Sequence, residues 1–549
     1  MKLSAHDQVF RNPRICHIDP KRLELDRVLI NLFMLLRYNG QRAIVRVGRK
    51  LVTIERSGAQ NIALVDLIAK HPDKLKGFDQ YPAITRRWLE TDLLDIVFRG
   101  VSDRETIAAP RPLHLDAYRL RNPKHCRDYN AADQLFSMIR YGDLELIAKL
   151  RDFLAAGLDP TTRKYDEHTA LDLDTLLILR LSSDESVSDR PPGAETIGKE
   201  PPLCYGQARL MCDDIWRLLT YKNKVPRHVL IGYLRSIMGL HLGLYMLKLF
   251  QLLPGWVNTH QTTDDCAQCR YGPSRREHYS RCLYRPLMLV DMAEDYRTRM
   301  AELSRQSADA HYSRISDYVR AVFAMNQLLL YANNARIAAQ RLTPIPQALQ
   351  LLDSPTEGFQ AYFQVKINNL FPPDDDKEEE TPQEIERIRD MALPPFEKYI
   401  ELIALKRTGF HRRYLTQLVD ELFQKNTEMG AMVQGKARAN GRRFHLGSRL
   451  LETLIQIAVL EPTGTGADKT FRSHPMPIDE FTRWLEERYG FVIDGSHLPE
   501  FADADIRDYE AFRGNVQALK SRLREIGFFT DLSDAYNAQT IRPRYPIDG

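Results

Sequence analysis

Apolar positions recur mostly at helical spacing. Leu25, Val28, Leu29, Leu32, Leu35 and Leu36 fall three or four apart, which places them on one helix face. Asn39-Gly40 then stops that helix, because a helix end commonly needs a residue that tolerates the left-handed conformation. Residues 43–55 (AIVRVGRKLVTIE) form two β-rich runs around Gly48, Arg49 and Lys50, which predicts a hairpin. Helices are expected near 62–70 and 84–98, the second with Ile84, Trp88, Leu89, Leu93 and Ile96 inward. Residues 101–130 are rich in Pro, Arg and His and read as an extended connection, with helices resuming at 131–156.

A long helical region is expected over 205–371 and again over 383–428. The most apolar stretch, Leu230 to Leu253, holds Arg235, His241 and Lys248. Three ionisable groups inside a span are costly in lipid, so a buried core helix is expected and no membrane partner.

At the C-terminal end, Leu450, Leu451, Leu454, Ile455 and Ala458 mark a first helix. Ile478 to Tyr489 form a second, with Phe481, Trp484 and Leu485 inward and Pro477 at its start, where a missing N–H costs nothing. Phe512, Val516, Leu519 and Leu523 mark a third at about 508–525, ended by Gly527. Phe528-Phe529, a turn through Asp531, Ser533 and Asp534, and an extended run at 539–545 follow. Helix, helix, helix and hairpin in that order predict a winged-helix-like domain at about 446–546, whose third helix enters the major groove.

The resulting fold class is mainly α and multidomain. A small N-terminal α+β unit spans 1–105 and a small helical region 131–181. The polar, Pro/Gly-rich stretch 182–202 reads as a linker into a helical domain at 203–371 that carries a Cys/His insert. An acidic linker at 372–382 precedes a helical segment at 383–433, then a basic arm and the winged-helix-like domain at 434–549.

Composition narrows the function classes. Of 549 residues, 43% are hydrophobic and 27% charged, which supports a packed core. The net charge of +4 is small for this length, so any case for nucleic acid rests on local clusters. The third helix is expected to show Arg513, Asn515, Lys520, Arg522 and Arg524 to solvent. The wing offers Asn537, Gln539, Arg542 and Arg544. The arm carries Lys436, Arg438, Arg442, Arg443 and Arg449 with no acid among them, and with Gly435, Gly441 and Gly447 between. Such an arm can neutralise phosphates and release counterions. The acidic run Glu500–Asp508 counts the other way, and lysines and arginines on a helix face also serve simply as a solvated surface.

Seven cysteines, an odd number, argue against a disulfide framework. The opening residues lack the apolar core of a signal peptide, so a cytoplasmic location is expected. Cys266, Cys269, His278 and Cys282 have the spacing C-x2-C-x8-H-x3-C. Two such pairs can close a tetrahedral Zn²⁺ site, and four protein ligands would make it structural. His260 is a rival fourth ligand, and reduced cysteines in an Arg-rich loop are the plainer alternative.

No catalytic motif stands out. Residues 464–470 (GTGADKT) lack the glycine before Lys469 and the strand–loop–helix context of a phosphate loop. Asp213-Asp214 and Asp264-Asp265 could hold a divalent metal, but such pairs are common at helix ends.

Two stretches carry a resemblance. Leu23-Glu-Leu-Asp-Arg-Val-Leu-Ile-Asn-Leu-Phe and the run from Leu523 to Arg542 (LREIGFFTDLSDAYNAQTIR) resemble an accessory protein of bacterial methylation-associated anti-phage defence systems. The resemblance implies a cytoplasmic bacterial protein acting beside a DNA methyltransferase and other defence proteins. It carries over no catalytic residue. The first expectation is therefore a non-enzymatic DNA-binding component of such a system. An interaction scaffold that docks a protein on its winged helix, and a nuclease whose site is not visible in the sequence, are the alternatives.

Overall fold

The computed structural model describes residues 1–47, 53–55, 77–98, 104–159, 166, 169–182, 187–190, 197–198, 200–262, 282, 284–293, 295–337, 342–371, 383–435, 441–463, 470–503, 505–529 and 540–548. The helices are α1 (Leu25–Arg37), α2 (Pro82–Trp88), α3 (Ala131–Gly142), α4 (Glu145–Leu154), α5 (Leu173–Ser182), α6 (Tyr205–Thr220), α7 (Arg227–Thr259), α8 (Arg299–Ser313) and α9 (Ile315–Asn334). They continue as α10 (Ile345–Asp353), α11 (Phe359–Leu370), α12 (Gln383–Asp390), α13 (Pro395–Leu422), α14 (Ser448–Ala458), α15 (Ile478–Tyr489) and α16 (Ile506–Glu525).

The organising element is α7. It is apolar around its whole circumference, and a helix of that kind has to be buried. It is also long and apolar enough to cross a membrane, yet 94% of its most apolar window lies inside the protein. Helices α6, α9, α13 and α14 pack around it, and α3 and α1 extend the layer beyond α6. Gly239 makes one approach possible: a Cβ there would lie 2.6 Å from Leu25 and 3.0 Å from the Leu422 carbonyl. The helix ends at His260, whose φ of 59° breaks the ladder and whose Nδ1 meets Asp353 at 2.5 Å. One contiguous hydrophobic core then runs from Leu3 to Ile541.

The N-terminal strands pair over long distances. Strand β1 (Ile44–Val47) pairs antiparallel with β5 (Val187–Arg190), and β2 (Thr53–Glu55) pairs with β4 (Arg104–Pro110), which also pairs with β3 (Leu94–Val97). The expected hairpin at 43–55 is therefore not formed: its two runs join different sheets. The expected helix at 84–98 stops at Trp88, and a wide helical turn leads into β3. Residues 104–110 form the central strand of that sheet instead of a free connection, with Ile107, Ala108 and Ala109 buried. The expected helix at 62–70 lies outside the described residues.

The last part alternates short strands with helices. Strands β7 (Met432–Gln434) and β8 (Arg442–Phe444) pair antiparallel before α14. Strands β9 (Leu460–Pro462) and β10 (Phe471–Ser473) follow, then β11 (Met476–Pro477), α15, β12 (Phe491–Val492), α16 and β13 (Thr540–Ile541). Strand β12 runs parallel to β6 (Met288–Leu289), and β13 antiparallel to β11. At the entry to β12, Gly490 has φ 83°, and a Cβ would lie 1.8 Å from the Pro286 carbonyl oxygen, so only glycine fits there. The helices α14, α15 and α16 fall where periodicity places them. Between the expected strands of the terminal hairpin, residues 530–539 lie outside the described residues, and the Arg542 amide donates to the Phe528 carbonyl at 3.3 Å.

Four of the six buried histidines among the described residues show what this packing does to an imidazole. Desolvation, helped by neighbouring arginines, lowers His17 to about 4, His114 to about 3, and His311 and His411 to about 4 each. The folded state binds fewer protons than the unfolded chain, whose imidazoles titrate near 6.5. The stability they contribute is whole above that value and is lost as the pH falls toward 4. The expected slope is about 1.4 kcal/mol per pH unit for each histidine. Urea midpoints at pH 7.5, 6.0 and 5.0 should fall in that order, and equal midpoints would reject the assignment.

Candidate nucleic-acid interface

Helix α16 is capped by Asp505, whose side chain accepts the Asp508 amide at 3.1 Å. Its inward face is Phe512, Asn515, Leu519 and Leu523, all buried. A solvent-facing flank carries Arg513, Gln517, Lys520 and Arg524, spaced at three and four residues and thus aligned. Arg513 and Arg524 are exposed and Lys520 is half-exposed. Arg524 also lies over the Phe529 ring, 5.4 Å from its centre, and Arg522 pairs with Glu525 at 3.0 Å.

Asn515 does not belong to that face. It is 1% exposed; its Nδ2 donates to the Val290 and Ile493 carbonyls at 2.7 and 2.9 Å, and its Oδ1 accepts the Met292 amide at 2.7 Å. Short strands end there, and the asparagine satisfies their otherwise unpaired backbone groups. The acidic run before the helix is partly neutralised. Asp508 is buried and bonded to Arg299 at 2.6 Å, while Glu500, Asp503 and Asp505 stay exposed at the helix start. At about 1.5 Å of rise per residue, Arg513 lies roughly 12 Å further along the axis than Asp505.

The basic arm divides. Lys436 and Arg438 lie outside the described residues. Arg442 turns inward to Asp420 through two bonds of 2.8 and 3.0 Å, where Lys425 and Tyr312 also bind. Burial alone raises Asp420, but these donors hold its carboxyl below the usual range. Arg443 is 8% exposed and meets Asp291 at 2.5 Å. Neither arginine faces solvent as an arm would, because Phe444, His445 and Leu446 carry the strand into the core. The two arginines instead compensate carboxylates that burial would otherwise leave unpaired.

Glu452 gathers two more expected contacts. It is 5% exposed and takes Arg449 on one oxygen at 3.0 Å and Arg544 on the other at 2.5 Å. Arg544 also bonds the Ile526 carbonyl and lies 4.2 Å from the Phe528 ring centre. It thus fastens the chain's last segment to α14 and is not a free wing arginine. Arg542 is exposed. Asn537 and Gln539 lie outside the described residues.

The paired acids Asp213-Asp214 are also committed. Asp214 is fully buried and accepts from His241 Nε2 at 2.8 Å, the Tyr489 hydroxyl at 2.7 Å and Arg488 Nε at 2.9 Å. Asp213 accepts from Arg488 Nη2 at 2.6 Å and Arg217 Nε at 3.0 Å. Gln207 Nε2 donates to His241 Nδ1 at 2.7 Å, which leaves the Nε2 proton for Asp214. Burial raises both carboxyls, and the guanidiniums overcome it and lower them. A His–Asp pair at 0% exposure meets no substrate, so this network binds α6, α7 and α15 together.

Of the expected zinc ligands, Cys266, Cys269 and His278 lie outside the described residues, and Cys282 is half-buried. The rival ligand His260 is engaged with Asp353. Among the described residues, no group of three His, Cys, Asp or Glu is placed to hold a metal ion.

A family model described as methylation-associated defense system protein MAD7 matches residues 5–545. The chain belongs to that family. The resemblance seen at the two ends therefore extends over nearly the whole length. No curated protein and no solved structure gave a match. Sequence reasoning missed Glu452 and Arg488 as organising residues. Asp213 and Arg217 at i and i+4 give a local signal, but Arg488 lies 275 residues from Asp213 and gives none.

Replacing Asn515 by Ala orphans several buried backbone groups and is expected to cost about 1–3 kcal/mol or more. Arg513→Ala, on the exposed flank of the same helix, should stay within about 0.5 kcal/mol. Urea unfolding of the two variants makes the comparison, and equal losses would contradict the two-faced assignment.

Proposed function

We propose that the protein is a non-enzymatic DNA-binding component of a bacterial methylation-associated defence system, working in the cytoplasm beside other proteins of that system. The observation that carries the DNA reading is the alignment of Arg513, Lys520 and Arg524 on the outward face of α16, while the inward face is locked by Asn515 and its neighbours. Arg542 lies exposed on the segment after α16. Lys436 and Arg438 add phosphate contacts from the arm. We read α14, α15, α16 and the β11–β13 pair as a winged-helix-like module, because a strand before the second helix pairs with a strand after the third. The family's description supports the defence role, and phosphate contacts of this kind position a protein on DNA without choosing a sequence.

A second reading, docking of a protein partner on the same helix, is favoured by Ile506 and Tyr509, apolar side chains that are 74% and 42% exposed at its start.

The test uses the full chain, because α16 is packed on α8 and a C-terminal fragment would expose Asn515. Binding to duplex DNA is measured by fluorescence anisotropy from about 50 to 200 mM salt, the range over which phosphate contacts weaken most visibly. Substituting Arg513, Lys520 and Arg524 together by Ala should weaken binding on all sequences. It should also flatten the salt slope by about 0.9 for each phosphate that is no longer neutralised. Absence of binding at low salt removes the DNA reading and leaves protein docking.

We also propose that Cys266, Cys269, His278 and Cys282 bind one structural Zn²⁺. Metal analysis of the purified chain should give about one zinc per molecule, lowered by Cys266→Ser with Cys269→Ser. A stoichiometry near zero in the parent rejects the site.

A further inference from the structure

Where four helices begin, the protein has a cavity of about 350 Å³. The second residue of each helix lies in its wall: Asp26 of α1, Asp174 of α5, His228 of α7 and Arg449 of α14. Helix starts carry a partial positive charge that favours a negative occupant, although Glu428 already takes the first amides of α14 and Asp172 the Thr175 amide of α5. The start of α7 adds to this, because Pro226 precedes it and no side chain caps it. The amides of Arg227 and His228 then have no partner within the helix.

The charges in the wall are unevenly satisfied. Arg235 is paired with Asp26 at 2.8 Å, and Arg449 shares Glu452 with Arg544. Arg111 and His228 are exposed and form no hydrogen-bonded ion pair among the described residues; Asp174 is the acid they face. Behind the wall sits Arg227. Its guanidinium is held only by carbonyl oxygens: Leu113 at 3.1 and 3.2 Å, Phe153 at 2.5 Å and Leu154 at 2.8 Å. No carboxylate is hydrogen-bonded to it among the described residues, and Asp172 acts on it only from a distance. The rest of the wall is largely apolar, with Val229, Ile231, Met429 and the Tyr233 ring.

The start of α7 with the exposed Arg111 and His228, beside an apolar wall, suits a ligand with a phosphate at one end, where it would compete with Asp174 for Arg111, and a flat, weakly polar body at the other. The volume is at the lower end of the range for small-ligand pockets and admits one such unit. We propose that this cavity binds a nucleoside phosphate, with the phosphate against Arg111, His228 and the start of α7, and the nucleoside against Val229, Ile231 and Met429. The proposal shares no residue with the outward face of α16 and does not rest on the DNA reading. The same chemistry arises from a free nucleotide or from the 5′-phosphate end of a DNA strand.

Calorimetry on the full chain tests it with AMP, ATP, adenosine, and a short single-stranded oligonucleotide with and without a 5′-phosphate. At least one phosphorylated probe is expected to bind with a Kd below about 1 mM and adenosine more weakly. AMP or ATP binding assigns the cavity to free nucleotide; binding of the phosphorylated oligonucleotide alone assigns it to a strand end. The double variant Arg111→Ala/His228→Ala changes exposed side chains and should keep the parent's melting temperature. It should weaken the bound probe by about tenfold or more, while Arg513→Ala leaves it unchanged. No binding of any phosphorylated probe up to about 1 mM, or equal binding by parent and double variant, overturns the proposal.

Discussion

The Arg488 guanidinium sits between Asp213 and Asp214, and the architecture depends on it. Removing three charges from water is expensive, and their mutual attraction repays the cost only when each lone pair and proton finds a partner. Here Arg217, Tyr489, His241 and Gln207 supply those partners. The arrangement exists in one register only. It sets α15 against α6 and α7, and α15 in turn sets the strand beside β6 and the helix α16 that follows. An apolar contact of the same area would tolerate sliding, whereas this one does not.

That constraint explains why the outward face of α16 is the one available to a partner. Its other face is fixed twice, by Asn515 on the strand ends and by Arg299 on Asp508. The arginines that look most like a mobile arm, Arg442 and Arg443, are used inside the protein to balance Asp420 and Asp291. Charge count along the sequence therefore overstates the cationic surface. Among the described basic residues expected to meet DNA, Arg449 and Arg544 are held by Glu452, and the row on α16 and Arg542 stay outward.

Helices were legible because their signal is local. The inward positions of α1, α14, α15 and α16 repeat at three and four residues, α7 shows as a long apolar run, and no distant contact is needed to see them. Strand pairing was not legible. The runs at 44–47 and 53–55 look like a hairpin because they are neighbours, but their partners are at 187–190 and 104–106. The fate of polar residues was equally hidden. Asn515 lies between positively charged residues and reads as solvent-facing, and only the strand ends at Val290 and Ile493 reveal why it is buried. Arg544 reads as a wing residue until Glu452, 92 positions earlier, is placed beneath it. The cavity draws Asp26, Arg111, Asp174, His228 and Arg449 from five separate stretches, so no spacing rule could have assembled it.

The parallel pairing of β12 with β6 has a consequence for the order of assembly. Residues 288–289 and 491–492 are about two hundred positions apart, and the acids on α6 lie further still from Arg488. Contacts of such separation form late, because the loop between them must close first. During synthesis the helical body around α7 emerges with Asp213 and Asp214 in place and no cation opposite Asp214. The body is thus complete in outline but electrostatically unfinished until the α15 segment arrives.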